Sequence, residues 1–250
     1  MGHYLIEFRL GGYAKKYSQK LIFELVRKFR IRGMKDKVSH ISLFGPFNTN
    51  NERQVVSIVQ NVCKSYKWVA FKFSGFNYFN NPTNKVIYLD IKPSDDLRNL
   101  RYELANKLLS VTKTDSSQDR KSANDFYFHS TIAFKDIDNK FNQIWNYLKH
   151  KQEPNINQYL LRVTIIKKGR ILYEYDLLQG RLLNRNQSLN RRVFQETVRI
   201  LREGKKDFHK HMQISKHNIT EIQTQSDTID DTHKKKSILD KILLFFRGKI

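Results

Sequence analysis

The apolar positions of this 250-residue chain change period as they run, and the changes mark out its elements. YLIEFRL (Tyr4–Leu10) is β-prone and ends at Gly11-Gly12, a pair that breaks a strand. From Tyr13 to Arg30 an apolar residue recurs at every fourth position (Tyr17, Leu21, Leu25, Phe29), which predicts an amphipathic helix. HISLFGP, opening at His40, is the next strand and stops at Gly45-Pro46. Asn50 or Asn51 can cap a second helix carrying Val55, Ile58, Val62 and Tyr66. FKFSGFNYF and KVIYLDI are two strands joined by the turn-forming NNPTN. The order then repeats. Ser94 can cap a helix through Leu97, Leu100, Leu104 and Leu108, a polar loop leads into FYFHSTIAF, and a helix follows with Phe141, Ile144, Trp145 and Leu148. Each half reads strand, helix, histidine-bearing strand, helix, a repeat of architecture with slight sequence identity.

Beyond the repeat, YLLRVTII and RILYEYDLL flank Lys-Lys-Gly and predict a hairpin over Tyr159–Leu178. Ser188 to Arg202 is expected to be one helix, with Leu189, Val193, Val198 and Leu201 inward and Gly204 as its stop. This places a folded domain over residues 1–203. A polar linker without sustained periodicity, expected to be disordered, covers 204–236. Residues 237–250, preceded by Lys234-Lys235-Lys236, form an amphipathic segment with Ile238, Leu239, Ile242, Leu243, Phe245 and Phe246. It suits peripheral contact with a membrane or a protein, or packing back on its own domain. A monomer is otherwise expected.

Charge narrows the partners. Lys and Arg number 46 against 24 Asp and Glu, a formal net charge of +22. Up to Glu203 the count is 36 against 18, so the folded part carries most of the surplus. Such a field favours polyanions, nucleic acids or nucleotides among them. The one cysteine, Cys63, has no partner for a disulfide. MGHYLIEFRLGG lacks the basic flank and long apolar core of a secretion signal, and no stretch reaches the roughly 20 apolar residues of a membrane span. A cytoplasmic location is expected.

The candidate chemistry lies in the two histidine-bearing strands. Of eight histidines, only His40 and His129 have a hydroxyl residue two positions later, Ser42 and Thr131. Alternation along a strand sends each histidine and its hydroxyl to one face. Two imidazoles and two hydroxyls on a concave surface suit phosphodiester hydrolysis. One neutral ring takes a proton from water, a protonated ring gives one to the departing oxygen, and the hydroxyls hold the phosphoryl oxygens. Phe44, Phe47, Tyr127 and Phe134 flank the motifs; the first three are candidates for stacking a base, although a place in the core suits most of the four better. No cluster of Asp, Glu, His or Cys calls for a metal, and no cofactor is expected. His209, His211 and His217 lie in polar surroundings that favour a tail over a metal site.

The paired motifs, His40-Ile41-Ser42-Leu43 and His129-Ser130-Thr131-Ile132, resemble those of the 2H phosphoesterase superfamily. The branch they most resemble contains the RNA 2′,3′-cyclic phosphodiesterases, also called 2′-5′ RNA ligases. Phe44-Gly45-Pro46-Phe47 is similar to a loop of that branch, and the resemblance covers about residues 4–180. Ser42 stands where Thr is more usual, and Ser130 where an apolar residue is common, which leaves the outer face of that strand more polar. The resemblance implies a bilobal α+β fold, in which two pseudo-symmetric β-α-β lobes turn antiparallel sheets to a central cleft. It also implies metal-independent hydrolysis of a 2′,3′-cyclic phosphate, on RNA ends or nucleotides, to a 2′-phosphate. His40 and His129 would then be the acid/base pair and Ser42 and Thr131 the phosphate ligands. His129 is favoured as base, but the sequence leaves the order open. Reverse 2′-5′ ligation is a secondary activity of such enzymes. Phosphodiester cleavage of 2′-5′ linked or cyclic oligonucleotide signals, and a non-catalytic RNA-binding module, are the alternatives.

Overall fold

The computed structural model describes residues 2–35, 37–81 and 84–204. The chain divides into two units, Met1–Val198 and Arg199–Ile250. In the second, the described residues 199–204 are helical, Gly204 included, and the linker and amphipathic segment expected beyond them lie outside the described residues.

In the first unit the chain runs β1 (Gly2–Arg9), α1 (Gly12–Phe29), β2 (His40–Thr49), α2 (Glu52–Cys63), β3 (Val69–Asn80) and β4 (Lys85–Pro93). It continues through α3 (Asp95–Leu109), β5 (Lys113–Thr114), β6 (His129–Phe134), α4 (Phe141–Lys149) and β7 (Ile156–Leu160). β8 (Arg162–Lys167), β9 (Arg170–Asp176), β10 (Arg181–Asn184) and α5 (Arg185–Leu189) complete the order. The strands form two sheets, β10-β9-β8-β1-β2-β5 and β6-β4-β3-β7, in which every recorded pairing is antiparallel. The result is the bilobal α+β fold, two antiparallel sheets about a cleft. In each lobe the histidine strand pairs with the strand that opens the lobe, β2 with β1 and β6 with β4. The helices cross over. α1, from the first lobe, touches β6, and α3, from the second, touches β2, while β2 and β6 touch each other. The core beneath is continuous, from Ile6, Leu25, Ile41 and Val59 to Leu89, Leu104, Ile132 and Ile144.

Local chemistry explains most of the boundaries. Ser94 Oγ accepts the Leu97 N–H at 3.3 Å, and Asp95 and Asp96 in the first turn complement the helix dipole, so α3 starts where its cap predicts. Asn51 occupies the N-cap of α2 without using its side chain. Thr49 Oγ1 takes the Asn51 N–H instead, at 3.0 Å. Two expectations are corrected. YLLRVTII is not one strand: it divides at Leu161 into β7 of one sheet and β8 of the other. The helix expected over Ser188–Arg202 is interrupted at Asn190, whose Oδ1 accepts the N–H groups of Arg192 and Val193 at 2.8 and 3.3 Å and so starts a new helix from 191.

Candidate active site

β2 and β6 present their residues in the same pattern. His40, Ser42, His129 and Thr131 are half-exposed, while Ile41, Leu43, Ser130 and Ile132 are buried. Each imidazole is latched the same way: His40 Nδ1 lies 2.8 Å from the Val38 carbonyl and His129 Nδ1 2.9 Å from the Tyr127 carbonyl. A carbonyl only accepts, so each Nδ1 carries the hydrogen, and a neutral ring is left with its lone pair on Nε2. The backbone before His40 is itself pinned. Ser39 Oγ meets Ser18 Oγ of α1 at 2.7 Å, and the Ser39 carbonyl accepts the Leu10 N–H at 3.0 Å. Neither the Ser42 nor the Thr131 hydroxyl bonds to another described residue, so both are available to phosphoryl oxygens. A groove of about 440 Å³ runs past His40 and Ser42, beside His3, Tyr4, Leu5 and Pro46.

The two histidines have different neighbours. The ladder sets Arg9 opposite His40 and Glu7 opposite Ser42. Glu7, only 4% exposed, lies with Oε2 3.8 Å from His40 Nε2, and its Oε1 accepts Arg9 Nε at 2.8 Å. At His129 the equivalent positions are Asp90 and Tyr88. The edge of Phe79 and the ring of Tyr88 approach the imidazole at 5.0 and 5.2 Å, and Ser74 Oγ donates to Asp90 at 3.3 Å. Burial holds the His129 pKa below the ordinary histidine value. The bond to the Tyr127 carbonyl raises it, the charge of His40 lowers it, and Asp90 raises it. His129 therefore favours its neutral form. Glu7 and His40 are an ion pair only while His40 holds its second proton.

The loops leading to the motifs are joined. Asp119, buried in the turn Ser117–Arg120, accepts the Gly45 N–H at 3.0 Å and the Thr114 hydroxyl at 2.5 Å. Arg101, wholly buried, donates to the carbonyls of Gln118 and Lys121, with its guanidinium 3.9 Å from the Phe126 ring centroid.

Three expectations change. Phe44 and Phe47 are each 1% exposed and packed on one another at 5.2 Å, so neither can stack a base. Their strand carries a bulge at Gly45 (φ +100°), where the register against β1 shifts, and the bulge turns both rings into the core. Tyr127 is 63% exposed, with Lys121 Nζ 5.2 Å from its ring centroid. Ser130 does not make an outer face polar. It is fully buried, and its hydroxyl has no hydrogen-bond partner among the described residues. Sequence motifs alone do not single out Glu7, Phe79 or Tyr88. A lone acid inside YLIEFRL was a signal for Glu7, whereas the two aromatics become neighbours of His129 only through the register.

Two sheets about a cleft, each lending it one histidine and one hydroxyl, are the build of a two-histidine phosphoesterase. A family model described as the 2′-5′ RNA ligase superfamily matches residues 19–170, and the chain belongs to that superfamily, within the 2H phosphoesterases. No curated protein matches. Among solved structures the chain is similar to Kluyveromyces marxianus Usb1 with uridine monophosphate, at 11% identity over 73% of this chain and 96% of that one, with a TM-score of 0.41. It is also similar to E. coli LigT complexed with 3′-AMP (10%, 72% and 91%, TM-score 0.40) and to a phosphoesterase (12%, 73% and 93%, TM-score 0.41). Its activity is of the phosphoesterase or RNA-ligase kind.

Proposed function

We propose that this protein is a metal-independent phosphodiesterase that opens 2′,3′-cyclic phosphates, on RNA ends or nucleotides, to a 2′-phosphomonoester. The observation that carries the reading is the repeated latch: two imidazoles, each with Nδ1 held by a backbone carbonyl, which leaves Nε2 as the nitrogen for proton transfer. His129, neutral through its burial, takes a proton from water as the oxygen attacks phosphorus. The new P–O bond forms as the P–O3′ bond breaks, and His40, carrying its second proton beside Glu7, protonates the departing 3′ oxygen. Ser42 and Thr131 donate hydrogen bonds to the non-bridging oxygens, where charge builds in the transition state. The products are a 2′-phosphate and a free 3′-hydroxyl. The surplus of positive charge supports a nucleic-acid substrate.

The test is hydrolysis of an RNA ending in a 2′,3′-cyclic phosphate, in excess EDTA, with the product resolved as 2′- or 3′-phosphate. Turnover that persists and yields the 2′-phosphate is expected. Dependence on added metal, or preference for 2′-5′ linked oligonucleotides, would overturn it.

A further inference from the structure

The face of the larger sheet that carries Ser42 continues past it, strand by strand, through Glu7 to Thr164 and Glu174. At its far end is a second cavity, of about 400 Å³, outside the groove at His40. Its walls are largely apolar: Leu10, Leu161, Ile171, Leu189 and the ring of Phe194. Its rim carries Arg9, Lys15 and Arg191, while the one carboxylate in the lining, Glu174, is already engaged by Arg162 at 3.3 Å and Thr164 at 2.9 Å. Arg9 is tied to Glu7, but Lys15 and Arg191 are exposed and have no ion-pair partner among the described residues. A cavity with apolar walls and a cationic rim selects a ligand with a flat apolar body and an anionic attachment. Arg9, on the rim, is the cross-strand partner of His40, so the cavity begins one strand spacing, about 5 Å, from the histidine strand.

We infer that this cavity receives the nucleoside preceding the cyclic-phosphate end of an RNA strand, its base against Phe194 and its phosphodiester on Lys15 and Arg191. The substrate is thus an RNA strand rather than a free cyclic mononucleotide. The inference rests on the proposed phosphodiesterase reading and adds the substrate class to it. Aromatic stacking tolerates any base, so the cavity discriminates by strand length and not by sequence.

The experiment compares the full-length protein and its Lys15→Ala/Arg191→Ala and Phe194→Ala variants on two substrates. These are a 2′,3′-cyclic mononucleotide and an oligoribonucleotide ending in the same cyclic nucleotide. In the unaltered protein, the first added 5′ nucleotide should raise kcat/KM by about tenfold or more, and later ones much less. Each variant should lose roughly that factor on the oligonucleotide, mostly through KM, and stay within about twofold on the mononucleotide. Lys15→Arg/Arg191→Lys should restore most of the loss. Equal losses on both substrates, or no loss on either, would overturn the inference. If the unaltered protein hydrolyses neither, the phosphodiesterase reading has failed. The cavity is then judged by fluorescence anisotropy with a 3′-phosphorylated oligonucleotide, where a variant Kd within twofold of the unaltered protein's rejects the site.

Discussion

The two histidine strands present the same pattern and differ in what surrounds the imidazole. His40 sits among charges, with Glu7 3.8 Å from Nε2 and Arg9 bonded to Glu7. His129 sits among rings, with Phe79 and Tyr88 within about 5 Å, as measured to the ring centroids. The same latch holds both at Nδ1. A repeated motif can thus set two groups of one kind in unlike surroundings. Burial keeps a proton off His129, whereas His40 has a carboxylate beside it. Four residues outside the motifs, Glu7, Arg9, Phe79 and Tyr88, make the surroundings of the two histidines unlike.

The largest way to break the comparison is to remove either ring. His40→Ala and His129→Ala should each lower kcat by roughly 10² or more in a single-turnover assay of cyclic-phosphate RNA. The two losses should then part company. A phosphodiester with a good leaving group, such as a nitrophenyl ester, needs no protonated acid, so it should recover much of the rate of His40→Ala and little of that of His129→Ala. Equal recovery would reverse or abolish the assigned roles. Next in size are the hydroxyls. Ser42→Ala and Thr131→Val should each cost about tenfold to a hundredfold in kcat with a smaller change in KM, as expected for donors to transition-state charge.

The pH profile sharpens the same contrast. The base must be neutral, so activity should rise with pH through a limb lying below the ordinary histidine value, because burial lowers His129. Phe79→Ser, which opens that ring to water, should move the limb upward. Rate against pH for the unaltered protein and Phe79→Ser checks both expectations. The smallest effect concerns the buried strand faces, where Ser130 stands at the position Ile41 fills in the other lobe. Its unpartnered hydroxyl costs stability, so Ser130→Ala should raise stability by up to about 1 kcal/mol in denaturant unfolding and leave kcat unchanged.

Much of this was legible in the chain, and the rest was hidden for identifiable reasons. Histidine and hydroxyl two apart in an apolar run put both on one face, and recurrence in a second lobe brought the runs together. Leu97, Leu100, Leu104 and Leu108 are all buried as their spacing requires, and Ser94 caps their helix. Alternation alone does not say which sheet a strand joins, so the division at Leu161 was invisible. Nor does it survive a bulge, which is why alternation does not show whether Phe44 and Phe47 line the site or the core. Asn190 did carry a signal, a good N-cap inside an apolar periodicity, but periodicity alone runs through such a residue. Glu7 and Tyr88 meet the motifs through cross-strand register, a property of pairs of segments rather than of either one.

The one-residue step at Leu161 also determines how this molecule can be taken apart. β1 needs β8, which follows it by more than a hundred positions, and β3 needs β7. A gene cut between the halves of the repeat would encode no separable module. The upstream piece would expose β1 as a raw edge, ready to pair with another chain. The repeat is visible in the order of elements, yet the two lobes are knitted into one object that must be made whole.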